Sequence, residues 1–330
     1  MRDTVEHLLF AFNALAPLLA LALVGYFFKY KGIVSDTFVQ HLNKFVFFAA
    51  LPALIFITIA NIEDIETINW WVIGFSTVML LVVTLISTIF VLSQSSLSNT
   101  QRPVVLQGLF RGNFTLIGIP LALRLGGADT LSIIVMLNAF LIPVVNFLSI
   151  LVFRVWQNQG HFSKGAFKEL LYKTVSDPLM VAVFLGIIAF IFQPAWFVVR
   201  DSVEFLDETL VMLSDTATPM ALVAVGGQFK LQSVRSMLRP IIIAVVGRLL
   251  VLPGFVFAVA FFMSNWIDFD NAWAGVLAIF ASPTAIASVA VTKGLGGDDE
   301  LASQILIWST ALAVFTIFFH VVIFRMLGLI

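Results

Sequence analysis

Four short clusters place polar or charged side chains inside long apolar stretches of this chain. In "FRGNFTLIGIP" (110–120), Arg111 is followed by Asn113 and Thr115. In "FASPTAIAS" (280–288), Ser282 and Thr284 flank Pro283, while "VVGRLLVLPG" and "MLSDTATPMAL" carry Arg248 and Asp215. A guanidinium stays charged at physiological pH and takes a carboxylate through two parallel hydrogen bonds. Asn, Ser and Thr add neutral donors. Arg111, Asn113 and Thr115, with Ser282 and Thr284 opposite, are therefore the expected contacts for an organic anion. Asp215 and Arg248 have two readings: a structural ion pair, in which Asp215 neutralises Arg111 or Arg248, or a proton-coupling role for a carboxyl whose pKa burial would raise and a nearby Arg would lower.

Other chemistries lack their residues. There are no cysteines, which excludes disulfides, thiolate metal sites and cysteine nucleophiles. His161 stands in a polar stretch with no clustered acid or second histidine, so it reads as a solvated loop residue, and no metal is expected. The acids of "GGDDE" (296–300) have no second acidic cluster or histidine to work with. They fit better as caps on a helix start, where negative charge is favourable. Neither an enzyme nor a cofactor is indicated.

The elements that hold these residues follow from composition. Of 330 residues, 60% are hydrophobic and 11% charged. Soluble domains carry about 25% charged residues, so the chain is expected to be an all-α integral membrane protein. Its net charge of −1 argues against a nucleic-acid partner. The first apolar run has no small-residue cleavage site and reads as a retained span.

Stretches of about 20 apolar residues occur at roughly 7–29, 38–60, 70–92, 103–124, 130–153, 175–193, 203–226, 239–263, 272–293 and 302–327, which makes ten expected spans. Odd-numbered connections hold Lys29, Lys31, Arg102, Arg154, Lys164, Lys168, Lys173, Lys230, Arg235, Arg239 and Lys293. Even connections and the termini hold Arg2, Arg124, Arg200 and Arg325. The positive-inside rule puts the odd connections in the cytoplasm and both termini outside, in a multi-pass plasma or inner membrane protein. Lys44, near the cytoplasmic start of the second span, is expected to snorkel to the interface. The 34 Phe need no function beyond a lipid face, and Trp70, Trp71, Trp156, Trp196 and Trp266 read as belt residues near span ends.

The polar stretch 154–174 divides the spans five and five, with a first unit at 1–153 and a second at 175–330. "PLLALALVG" (17–25) resembles "PLMVAVFLG" (178–186), and Pro52 in "AALPAL" answers Pro219 in "TATPMAL". "LFRGNFTLIGIPLALRLGGAD" (109–129) aligns with "IFASPTAIASVAVTKGLGGDD" (279–299). Five spans per unit make the second copy enter from the opposite side, as an inverted repeat. Inverted repeats mark secondary transporters, whose sites lie at the midplane where interrupted spans meet. Gly112, Gly118 and Pro120 in the fourth span and Pro283 in the ninth are the expected breakers. At 1.5 Å per residue, Arg111, Arg248 and Asp215 all fall near mid-membrane, where an ionisable group needs a partner.

The residues also carry a family resemblance. Pro52 in "LPALIF", "GNFTLIGIPLA" (112–122), "TPMALVAVGG" (218–227) and "SPTAIASVAVTKGLGGDDELASQILIWSTALAVFT" (282–316) resemble the auxin efflux carrier family of membrane transport proteins. That family includes plant auxin exporters and bacterial permeases for malate, malonate and similar acids. The resemblance implies ten spans with crossed, broken helices four and nine, similar to bile-acid symporters and sodium/proton antiporters. It implies a scaffold of spans 1, 2, 6 and 7, a mobile elevator-like transport domain of spans 3–5 and 8–10, and a homodimer. The family asparagine before the Gly-x-Pro break falls on Asn113. The long hydrophilic central loop of the plant exporters is missing, so regulation through it is not implied. Arg111 is not part of the pattern, and its role rests on physical argument.

The expected function is alternating-access transport of a small organic anion, a mono- or dicarboxylate or an auxin-like acid, with protons as a candidate coupling partner. Alternatives are a sodium-coupled bile-acid-type symporter and an anion channel. A channel needs a continuous polar path, and the polar residues are confined to one cluster.

Overall fold

The computed structural model describes residues 2–62, 69–157, 176–228 and 237–330. His161, Lys164, Lys168, Lys173, Lys230 and Arg235, and most of the acidic turn at 61–66, lie outside the described residues, as does nearly all of the connection 154–174. The described residues form twelve helices and no strand.

Helices α1 (Arg2–Tyr30), α2 (Asp36–Ala60) and α3 (Trp70–Ser93) come first. A short α4 (Arg102–Phe110) follows, then α5 (Ile119–Gln157), entered through a π-helical turn at Phe114–Gly118. After the central connection come α6 (Pro178–Ile191), α7 (Gln193–Ser202), α8 (Glu204–Gly227) and α9 (Leu238–Met263). Two short helices, α10 (Ala272–Phe280) and α11 (Ala287–Gly294), precede α12 (Asp299–Met326).

Seven helical runs are long and apolar enough to cross a membrane, and an eighth is reached if α6 and α7, bent by 100° at their junction, count as one. The fourth and ninth expected spans are each two helices meeting at a break. At nine residues, α4 and α10 are about 13 Å long, less than half the hydrocarbon thickness. The second half of the fourth span continues into the fifth as α5, which turns at Gly127 through φ 70° and ψ −154°. A residue with a Cβ would be strained there.

Local sequence explains the ends and the irregular turns. Ser35, Asn69, Asp177 and Asp298 accept N-terminal backbone N–H groups of α2, α3, α6 and α12. Asp298, with Asp299 and Glu300 in the first turn, gives "GGDDE" its capping role. π-helical turns occur at Val46–Ala50, Phe114–Gly118 and Gly247–Val251, and each ends two residues before a proline: Pro52, Pro120 and Pro253. A proline ring clashes with the carbonyl four residues back and cannot donate to it. Widening the preceding turn relieves both problems.

Small residues set the packing. A Cβ on Gly25 of α1 would strike the Val223 backbone of α8, and one on Gly226 of α8 would strike Ala22 of α1. Gly186 of α6 lies against Ile59 of α2 in the same manner. Such contacts let membrane helices approach closely enough for dispersion to hold them. At the centre, α4 is buried from Pro103 to Phe110 and α10 at every position. The amphipathic α7, unannounced by the span pattern, has no buried residue; Gln193 and Trp196 tie it to Ile62 and Asn61.

Candidate functional site

The two breaks meet. Gly112 and Thr284 form an isolated antiparallel bridge, in which Asn113 N–H donates to the Pro283 carbonyl (2.7 Å) and Ala285 N–H to the Arg111 carbonyl (3.0 Å). Breaking a helix strands its terminal amides and carbonyls, and here two of the amides find acceptors in the other break. Four helix ends converge on this bridge: the C-termini of α4 and α10, and the N-termini of the Phe114 turn and α11. Gly112 and Pro283 lie in the breaks themselves. Gly118 closes the π turn and Pro120 is the second residue of α5, so both lie beyond the break.

A cavity of about 330 Å³ opens on the N-terminal side of the crossing. Arg111, Asn113, Thr115, Ala285 and Ile286 form its floor, with Asn146 on α5. Lys44 and Phe48 of α2 and Asp177 at the start of α6 line it too. Arg111 is buried, and donates from Nη1 to Ser149 Oγ (2.8 Å) and from Nη2 to Asn146 Oδ1 (2.9 Å). No carboxylate among the described residues lies within ion-pair distance of it. Asp177 Oδ1 instead caps α6 by accepting from Leu179 N–H (2.9 Å), and its charge is felt by Arg111 across the cavity. Asn113 Oδ1 accepts from Leu116 N–H (3.2 Å), which leaves its amide N–H groups as what it can offer a ligand. Formally Arg111, Lys44 and Asp177 give the walls an excess of one positive charge.

The opposite side of the crossing is closed around Arg248, which is 2% exposed. Its Nε donates to Ser282 O (2.8 Å), Nη1 to Leu109 O (3.3 Å) and Phe110 O (3.5 Å), and Nη2 to Ile279 O (3.1 Å) and Ser282 Oγ (3.1 Å). These oxygens belong to the C-terminal ends of α4 and α10, where a helix dipole is negative. The expected Asp215–Arg248 or Asp215–Arg111 ion pair is not formed. Asp215 is exposed, because α8 buries the stripe that carries Ser214, Ala217 and Ala221, and Asp215 lies to one side of it.

Ser282 and Thr284 also depart from the expectation of ligand contacts. The Ser282 hydroxyl donates to Ile279 O (2.8 Å) while accepting from Arg248. The Thr284 hydroxyl donates to Gly108 O (3.1 Å), and Thr284 N–H to Ser309 Oγ (3.2 Å). Both are fully buried, neither lines the cavity, and both fasten the crossing. Lys44 is on the cavity wall.

Sequence reasoning missed Asn146, Ser149 and Asp177. Asn138, Asn146 and Ser149 repeat at spacings of eight and three, one face of a helix, in an otherwise apolar span; that periodicity was the available signal. Asp177 carried the signal of an acid directly before a helix-starting proline.

Comparison with known proteins places the chain. Residues 10–321 match the model of a family described as membrane transport protein. The chain is also 26% identical, over 301 residues, to a protein of Methanocaldococcus jannaschii described as an uncharacterized transporter, covering 88% of this chain and 92% of that relative.

Proposed function

Starting from the chain's membership of the membrane transport protein family, the auxin efflux carrier family, we propose that it is a secondary transporter of a small organic anion working by alternating access. The observation that carries this is Arg111: a buried guanidinium with no ion-paired carboxylate among the described residues, lining an open cavity together with the first residues of two helix N-termini. Half-helix N-termini add partial positive charge and free N–H groups, as in other anion sites. Arg111 and the amide of Asn113 bind the carboxylate, Thr115 adds a hydroxyl, and Asn146 and Ser149 hold the guanidinium in place.

In this reading the chain has ten spans, two of them broken, in an inverted five-plus-five arrangement. The reciprocal packing of α1 on α8 and α6 on α2 supports it, as does the Asn113–Pro283 hydrogen bond between aligned residues. Spans 1, 2, 6 and 7 are the scaffold, and the crossing travels with spans 3–5 and 8–10. The cavity is lined by the starts of α2 and α6, which adjoin the basic connections, so it faces the cytoplasm. Asp215, exposed at mid-span on α8, is costly in lipid; a second copy of the chain covering that face, in a homodimer, removes the cost.

The test is uptake of a panel of radiolabelled mono- and dicarboxylates by proteoliposomes. At least one acid is transported by the wild type and not by folded Arg111→Ala; equal uptake by both removes Arg111 from the site.

A further inference from the structure

Arg248 is surrounded by an oxygen set that resembles a cation site more than a salt bridge. Its donors meet four backbone carbonyls and one hydroxyl, all neutral, from the converging ends of α4 and α10. Oxygen-only shells are what hard cations take, and half-helix C-termini with unwound carbonyls hold coupling ions in transporters built on broken helices. Two negative helix ends buried face to face require a positive charge between them. The space around the guanidinium is shaped for it: a Cβ on Gly112 would overlap Nη2, and the Phe114 ring faces the guanidinium carbon at 5.7 Å from its centroid. The π turn at Gly247–Val251 carries Arg248 on the chain of α9.

We propose that Arg248 is a tethered, permanent cation in the position where a coupling alkali ion would bind, so that the carrier runs without sodium or potassium. Removing the side chain opens that position to an alkali ion. A guanidinium keeps its charge, so the site is not a proton carrier either. The consequence for coupling rests on the transport reading; the claim about the oxygen set does not, and is tested without any substrate.

The experiment is thermal unfolding of the purified full chain in detergent, in sodium, potassium or choline chloride at equal ionic strength. The wild type unfolds at the same temperature in all three. Arg248→Ala unfolds at lower temperature in choline, and about 0.1 M sodium or potassium raises its midpoint by about 3 °C, the size expected for a ligand present well above its dissociation constant. A wild type stabilised specifically by sodium or potassium overturns the proposal. So does an Arg248→Ala protein that matches the wild type in choline or ignores the alkali ions. Should Arg248→Ala not yield folded protein, Arg248→Lys and wild-type uptake decide. Cation-independent stability of the lysine variant and uptake unchanged in choline support the proposal; alkali dependence of either contradicts it. Failure of the wild type to transport any acid defeats the transport reading and leaves the unfolding results standing.

Discussion

Arg111 and Arg248 are both buried at one crossing of broken helices, and their surroundings differ in every respect that matters for function. Arg248 lies between two helix C-termini, sealed, with each donor group on an oxygen that cannot leave. Arg111 lies beside two helix N-termini, held by two side chains, and borders open space. The same side chain completes the structure at the negative pole and remains available for a ligand at the positive pole. The difference comes from which helix ends the backbone directs to each side, before any side chain is chosen.

Substitutions separate the poles, and the largest effect belongs to Arg248. Arg248→Met leaves a ring of buried carbonyls without donors, and breaking a buried charged network costs about 3–5 kcal/mol. The expected fall in unfolding midpoint is about 10 °C, against a few degrees for Arg111→Met, whose freed partners adjoin the cavity. Thermal scans of the two variants side by side check this, and equal falls erase the distinction.

At the open pole the loss is in transport. Arg111→Ala lowers kcat/KM for the carried acid by about 100-fold, the value of a lost charge-assisted pair near 2.7 kcal/mol. Arg111→Lys keeps the charge without the fork and recovers only part. Proteoliposome uptake measures both, and full activity in the lysine variant would show that only charge matters.

Gly112 stands between the poles. Gly112→Ala pushes against the Arg248 guanidinium and the Phe114 ring together, and overpacking of this kind costs about 1–3 kcal/mol. Its midpoint should fall between wild type and Arg248→Met; an unshifted midpoint would mean that the poles are not in mechanical contact. The smallest effect is at Asp177, the carboxylate that shares the cavity with Arg111. Asp177→Asn removes a competing negative charge, and screening limits the gain to about threefold in half-saturating anion concentration. Weaker anion binding in the asparagine variant would reverse its assigned role.

The asymmetry also shows what a sequence makes visible. Long apolar runs announced the helices, and Gly112 and Pro283 marked the breaks, because span length and backbone rules act locally. Prolines at 52, 120 and 253 did not announce the π turns before them, since a proline is equally tolerated by a kink. Arg111 was legible from its neighbours Gly112 and Asn113. The partners of Arg248 were not, because backbone carbonyls carry no sequence signal. Asp215 was expected to face the interior and is exposed, since the face α8 buries is the one carrying Ser214, Ala217 and Ala221. Ser282 and Thr284 had the right types for a ligand and lie at the closed pole, a choice set by backbone direction.

Because the chain has no cysteine, introduced thiols report on one position at a time. The most direct measurement is labelling of Thr115→Cys and Thr284→Cys in membrane vesicles by an anionic, membrane-impermeant methanethiosulfonate. Thr115→Cys is expected to be modified from the cytoplasmic side and protected by a transported carboxylate, while Thr284→Cys stays inert. Labelling of Thr284→Cys with carboxylate protection, and none at Thr115→Cys, would put the anion at the other pole and contradict this expectation.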